Sequence, residues 1–268
     1  MREVLCGCGL GGGSAVYLES RWVMTAAHVG EGDILFDNAT FSAVSGSTHR
    51  LTNPDGTDTD IILFRLASDP GLPSLTIRES APDLDSAVVM IGVGRNSEED
   101  VTRWNSDWEE DSEGETEGYK WASGRTKGWG ENTIEKFTTA NAGEGDVLSF
   151  RTHFFDEEGR AQAAAVGDSG GAVVYENNGI WELTGMMHAV SRVDEDQPNG
   201  TSIFSYTPGF PPMASEEQST TLSADLSQYR DQIVSVIPEP GTWGLLGGLA
   251  VIVTVILGRR RRAGIRPS

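Results

Sequence analysis

The chain has 268 residues and a formal net charge of −20, room for one large domain or two small ones. Fifteen basic and 39 acidic residues precede residue 239, a balance that repels nucleic acid and anionic lipid and excludes both as partners of this part. Only one residue separates the two cysteines, Cys6 and Cys8. That is too little for an easy disulfide, so the fold is expected to form without cross-links.

Glycine, proline, asparagine, aspartate and serine break the chain into many short runs rich in Val, Ile, Phe and Trp. Such punctuation predicts an all-β domain rather than alternating helix and strand. In chain order, strands are expected over Ala15 to Leu18, Trp22 to Thr25, Ile34 to Phe36, Ile61 to Leu66 and Ala87 to Gly92. Residues 97–118 follow, with ten acidic residues around Trp104 and Trp108. Oxygen ligands for calcium abound there. The spacing does not match an EF-hand loop, and a solvated, mobile insertion is expected. Further strands are expected over Val147 to Phe155, Ala172 to Tyr175 and Trp181 to Val190. One helix is expected from Ser223 to Ile237, with Ser223 as its N-cap and Leu226, Tyr229, Ile233 and Val236 on one face.

The tail is a separate signal. Pro238-Glu239-Pro240 precedes an apolar run of 18 residues, Gly241 to Gly258, and then Arg259 to Arg262. The run is just long enough for a transmembrane helix. The arginines hold its end in the cytoplasm, so residues 263–268 form a cytoplasmic tail and the main domain lies outside.

Three blocks in the main domain carry chemistry. Trp22 to Val29 is an apolar strand, two alanines and His28. Asp58-Thr59-Asp60 opens the strongly apolar Ile61-Ile62-Leu63-Phe64. Gly167-Asp168-Ser169-Gly170-Gly171 sets a serine between small residues, ahead of Ala172-Val173-Val174. Serine attacks a carbonyl only when a base takes its proton. Histidine titrates near neutrality and can take that proton and return it. A buried carboxylate would fix the histidine tautomer. The candidates are Ser169 as nucleophile, His28 as base and acid, and Asp60 as orienting carboxylate. Asp60 is preferred because it abuts the apolar run; Asp58 stands as the alternative.

The blocks, in the order His, Asp, Ser, resemble the three catalytic motifs of the trypsin-like (chymotrypsin-fold) serine peptidases over roughly residues 13 to 237. The resemblance implies two six-stranded antiparallel Greek-key β-barrels with a closing C-terminal helix. It implies a serine endopeptidase domain at 14–237, preceded by a short segment, 1–13. It implies an oxyanion hole from the N–H groups of Gly167 and Ser169, and no cofactor or metal. The position that holds an aspartate in enzymes of basic specificity is Ala163 here. Ala163, His188 and Val190 are the candidate substrate-pocket residues; Val190 would narrow the entrance, and His188 on the same strand either lies near the triad or hydrogen-bonds within the strand. Small or apolar P1 residues are therefore expected in a protein or peptide substrate. In the family's digestive enzymes a freed Ile-Val-Gly-Gly-type terminus pairs with the aspartate matching Asp168. No such segment is present, so Asp168 is expected to find another partner, or residues upstream of the given start supply it.

Residues 238–262 resemble the PEP-CTERM sorting signal of bacterial envelope proteins. This implies an exosortase-type processing enzyme as partner and an envelope location, with membrane attachment through the C-terminal helix and release after processing. Export requires an apolar leader, and Met1 to Gly13 holds none, so the true start is expected upstream. A monomer is expected. The alternative function is a non-catalytic binding or surface-matrix protein on the same fold.

Overall fold

The computed structural model describes residues 6–9, 12–154, 164–205 and 219–237. The first half carries β1 (Cys6–Gly9), β2 (Ser14–Glu19), β3 (Trp22–Ala26), β4 (Ile34–Phe36), β5 (Ala39–Phe41), β6 (His49–Thr52) and β7 (Asp58–Arg65). They form one antiparallel sheet in the order β5-β4-β1-β2-β3-β7-β6. The second half carries β8 (Ala87–Gly92), β9 (Arg95–Ser97), β10 (Thr102–Trp104), β11 (Thr116–Arg125), β12 (Gly128–Thr133), β13 (Lys136–Asn141) and β14 (Asp146–His153). It continues with β15 (Ala172–Asn177), β16 (Ile180–Val190), β17 (Thr201–Ser205) and β18 (Thr220–Asp225). A second antiparallel sheet runs β12-β8-β15-β16-β18-β14-β13, and a small one runs β10-β11-β17 with β9 also on β11. The expectation was two six-stranded barrels. The ladders give two seven-stranded sheets, and just beyond β5 the Ala43–Leu66 bridge, with Val44 N–H on the Arg65 carbonyl and Ala67 N–H on the Ser42 carbonyl, carries the end of the first sheet back onto β7.

Period-two alternation builds the core. Val16, Leu18, Met24, Ile61 and Leu63 face Val89, Ile91, Ala172, Val174, Leu183 and Met186 in one apolar cluster shared by both large sheets. Their neighbours along the strands, Ala15, Tyr17, Val23, Ile62 and Phe64, form a second cluster on the other face of the first sheet. Val88, Met90, Phe150, Val173 and Met187 do the same for the second sheet. Burial on both faces explains why these strands read as nearly continuous apolar runs. Each strand expected from the sequence is present, its described bounds within three residues of expectation.

Two expectations need correcting. Ser223 does not begin a helix. β18 is hydrogen-bonded between β14 and β16 as far as Asp225, and Ser223 is fully buried. The turn that follows, Leu226–Gln228, is a 3₁₀ helix capped by the Asp225 side chain, and α1 spans only Arg230–Val236. The ladder on both sides outweighs a local capping signal. The acidic stretch 97–118 is not a bare solvated loop either. It contains β10 and the start of β11, and Trp104 is buried with Val193 and Ile203. The tryptophan supplies apolar burial that the acidic composition concealed.

The C-terminal elements latch the two sheets together. Leu226, Tyr229 and Ile233 join the shared core, as their spacing predicts. The Tyr229 hydroxyl accepts from the Leu148 N–H at 2.8 Å and donates to Asn53 Oδ1 at 2.9 Å, which ties β14 to the turn after β6. Burial pushes its pKa up to about 12. On edge strand β6, the Gln232 amide accepts from the Thr52 N–H at 3.0 Å and donates to the Thr52 carbonyl at 2.7 Å. No helix among the described residues is long and apolar enough to cross a membrane. The expected transmembrane helix 241–258, the sorting signal 238–262 and the tail 263–268 lie outside the described residues.

Tyr229→Phe leaves one buried N–H and one amide oxygen without this partner. Urea unfolding should show a loss of about 1–3 kcal/mol, with the histidine–carboxylate geometry described below unchanged. An unaltered midpoint would show that the hydroxyl does not latch the sheets.

Candidate active site

β3 and β7 pair with Ala26 opposite Ile61, which brings the end of one strand beside the start of the other. Directly after β3 the chain turns, with the N–H groups of Val29 and Gly30 both bonded to the Ala26 carbonyl. The turn folds His28 back over β7. There Asp60 has no exposed surface. Its Oδ1 accepts the His28 backbone N–H at 2.9 Å, and its Oδ2 lies 2.7 Å from His28 Nδ1. Asp58, two residues earlier, is exposed and not part of this contact, so the open choice between the two aspartates falls to Asp60. The hydrogen bond to Asp60 raises the His28 pKa above the usual histidine value, burial opposes it, and the Asp60 and Glu144 charges add to it. Nδ1 thus carries a proton toward the carboxylate. The His28 side chain remains 32% exposed.

Ser169 lies on a loop fastened to both large sheets. Its carbonyl accepts from the Ser14 N–H of β2 at 2.8 Å. The Gly170 N–H donates to the Met187 carbonyl of β16 at 2.7 Å. Gly13 ties this loop to the histidine turn, because a Cβ there would meet both the Val29 side chain and the Ser169 carbonyl. The Asp168 N–H closes a turn on the Ala165 carbonyl at 3.0 Å, and Gly167 has a φ of 101°. A type II turn requires positive φ at that place. The N–H groups of Gly167 and Ser169 donate to no acceptor among the described residues. Among the described residues these two N–H groups next to the serine thus have no partner.

Asp168 finds its partner in the backbone. Its Oδ1 accepts from the Gly94 N–H at 2.7 Å and its Oδ2 from the Ala165 N–H at 2.8 Å. Burial raises its pKa, while those two bonds and the Arg125 charge pull it down. The carboxylate fits only because Gly92 and Gly94 lack side chains; a Cβ at either would lie within 2.4 Å of a carboxylate oxygen. Ser14 is a second residue that sequence reasoning passed over. Its buried hydroxyl donates to the Gly167 carbonyl at 2.8 Å and accepts from the Val93 N–H at 2.9 Å. Its place after Gly11-Gly12-Gly13 reads as an ordinary turn. The motif around Ser169 contained no sign of either contact.

Of the three expected pocket residues, Ala163 lies outside the described residues. Val190 borders a cavity of about 350 Å³, together with Ala164, Val166, Trp121, Arg95 and Arg192. His188 does not border it. The β16–β18 register shifts between Met187 and Ala189. A bulge of this kind re-aims a side chain, and here the imidazole is turned inward. It is buried, with Nε2 3.0 Å from Ser149 Oγ and Nδ1 4.0 Å from Asp60 Oδ2. Burial depresses its pKa to about 4, with the Asp60 charge opposing and the His28 charge reinforcing the shift. At neutral pH it is uncharged.

Two histidines therefore approach one carboxylate, and exposure separates them. Ser149 and His188 are sealed in the interior at 2% and 1% exposure, where no substrate reaches. His28 is exposed and Ser169 half-buried. No group of three or more His, Cys, Asp or Glu among the described residues is placed to hold a metal ion.

Mostly β architecture with few helices, a histidine–carboxylate pair, and a glycine-flanked serine loop packed through Gly13 against the histidine turn are features of a chymotrypsin-like serine protease. The Trypsin family model matches residues 8–210, and the chain belongs to the trypsin family of serine proteases. Solved structures agree in fold. Neuropsin, a serine protease expressed in the limbic system of mouse brain, is 14% identical with a TM-score of 0.54, covering 88% of this chain and 95% of its own. An inactive mutant form of Rv3671c from M. tuberculosis is 14% identical with a TM-score of 0.50, covering 89% of each chain. No curated protein matches the sequence.

The His28 shift has a definite sign. Its folded-state pKa lies above the unfolded value of about 6.5. The pair's contribution to stability is therefore full below that pH and is lost as pH rises through the folded value. NMR titration of the His28 ring should give a midpoint above the ordinary value, returning toward it in Asp60→Asn. Equal midpoints in the two proteins would show that Asp60 does not bind the ring.

Proposed function

We propose that this protein is an active serine endopeptidase that cuts peptide bonds through an acyl-enzyme. The observation that carries the reading is the 2.7 Å contact between His28 Nδ1 and a carboxylate with no exposed surface. It leaves the other ring nitrogen, on the exposed side, free to act as a base. In this reading Ser169 Oγ attacks the scissile carbonyl as His28 Nε2 takes its proton. The oxyanion forms against the N–H groups of Gly167 and Ser169, each worth roughly 3 kcal/mol in the transition state. His28 then returns the proton to the leaving amine, and water repeats the sequence to release the acyl group. Asp60 keeps the Nδ1 proton in place and stabilises the imidazolium.

The P1 side chain is read as neutral, small or apolar. The charged residues described around the 350 Å³ cavity are Arg95 and Arg192, without a carboxylate among them, and Val190 stands at its edge. A cationic side chain would meet like charge there. Residues 238–262 are read as a sorting signal that directs the enzyme to the bacterial envelope. The catalytic domain would lie outside the membrane, and an exosortase-type enzyme would process the tail.

A fluorophosphonate probe should label the full chain and spare Ser169→Ala; a folded wild-type protein that stays unlabelled overturns the enzyme reading. Hydrolysis should fall as pH drops through the raised His28 pKa. Asp60→Asn should lower kcat by about 10⁴. In a peptide library, cleavage should follow neutral P1 residues, and a preference for Arg or Lys would refute the pocket assignment. Replacing Pro238-Glu239-Pro240 with alanines should abolish tail processing in the native host, read as intact mass. Unchanged processing would remove the sorting role.

A further inference from the structure

The oxygen of Asp60 that binds His28 is approached by a second imidazole. His188 Nδ1 lies 4.0 Å from that oxygen and has no hydrogen-bond partner of its own. Its ring is completely buried. On the far side, Nε2 lies 3.0 Å from Ser149 Oγ, which is itself 2.9 Å from the Val147 carbonyl.

A neutral imidazole carries one proton, and its two placements differ sharply here. With the proton on Nε2, the ring donates to Ser149 and Ser149 donates to Val147. Nδ1 then turns a bare lone pair toward a carboxylate in a fully buried site. With the proton on Nδ1, an N–H faces the carboxylate and the Ser149 hydroxyl donates to Nε2. The second placement gives up one bond between neutral groups and replaces lone-pair repulsion by charge–dipole attraction. In a low-dielectric interior the charged partner decides.

We propose that His188 is a positioning residue for Asp60, presenting Nδ1–H to Oδ2 so that two imidazoles hold one carboxylate between them. The inference rests on Asp60 being the carboxylate that orients the His28 base. At 4.0 Å the contact is electrostatic rather than a formed hydrogen bond. Contacts of this kind tighten once substrate is bound. The bulge between Met187 and Ala189 is what aims the ring inward. The same strand holds the nucleophile loop, because the Met187 carbonyl accepts the Gly170 N–H. His188 thereby couples the serine loop to the carboxylate from behind. The titratable groups that face it are Asp60 on β7 and His28 on the turn after β3; Ser149 on β14 completes its surroundings. An N–H beside Oδ2 shares part of the negative charge. It thus moderates the pull of Asp60 on the His28 proton.

Nitrogen NMR of the histidine rings in the full chain reads the tautomer directly. A proton on His188 Nδ1 is expected, and a proton on Nε2 overturns the proposal. His188→Phe should lower kcat by roughly 10–100-fold, in line with partners behind a liganding side chain. KM should be nearly unchanged, and the acid limb of the rate profile should move to higher pH. His188→Asn keeps an N–H toward Asp60 and should recover most of the rate with the limb restored. Equal losses in both variants, with the limb unmoved, would reduce His188 to packing. If His188→Phe does not fold, the wild-type tautomer decides. Failure of the fluorophosphonate probe would defeat the enzyme reading, yet the tautomer and the His28 titration would still test this contact separately.

Discussion

The burial of one carboxylate governs the arrangement of the site. Asp60 sits at the head of a strand whose next four residues are apolar and buried. A lone carboxylate there would lose its hydration at a cost of several kcal/mol. The replacement for water comes almost entirely from one residue, His28, which gives both its main-chain N–H and its ring. Strand register secures that gift. Ala26 opposite Ile61 puts the histidine turn over the right carboxylate, and a slip of one residue would send Asp60 to the other face of the sheet.

A second buried carboxylate follows the opposite rule. Asp168 is solvated by main-chain N–H groups, one from its own turn and one from Gly94. Its role is mechanical. It pins the serine loop to the second sheet, while Ser14 pins the same loop to the first through both its N–H and its hydroxyl. The catalytic loop therefore spans the seam between the two sheets. Its shape depends on how closely they approach, and the two glycines at the end of β8 and just beyond it set that approach.

The pairing of His28 with Asp60 was legible because each has a local signature: a histidine after a strand and an aspartate before an apolar run. The strands around the shared core were legible for a related reason, since burial on both faces leaves long apolar runs. What escaped notice depends on distant approach. Gly92 ends an expected strand and Gly94 lies just beyond it, with nothing local to mark either until Asp168 lies against them, and Ser14 follows a run of glycines. His188 lies on the strand that resembles a pocket wall, with proximity to the triad as one of its two readings; the bulge turns it toward Asp60, and no residue type announces a bulge. Ser223 misled for another reason. It has the right chemistry to cap a helix, yet two neighbouring strands claim its backbone first.

Gln232 gives the last helix a further consequence. A strand at the border of a sheet exposes open peptide groups, and any other extended chain can extend the sheet there. By occupying the N–H and carbonyl of Thr52, the glutamine amide imitates one peptide unit of an extra strand and ends the sheet at that point. The helix thus discourages β6 from accepting a strand from a neighbouring molecule.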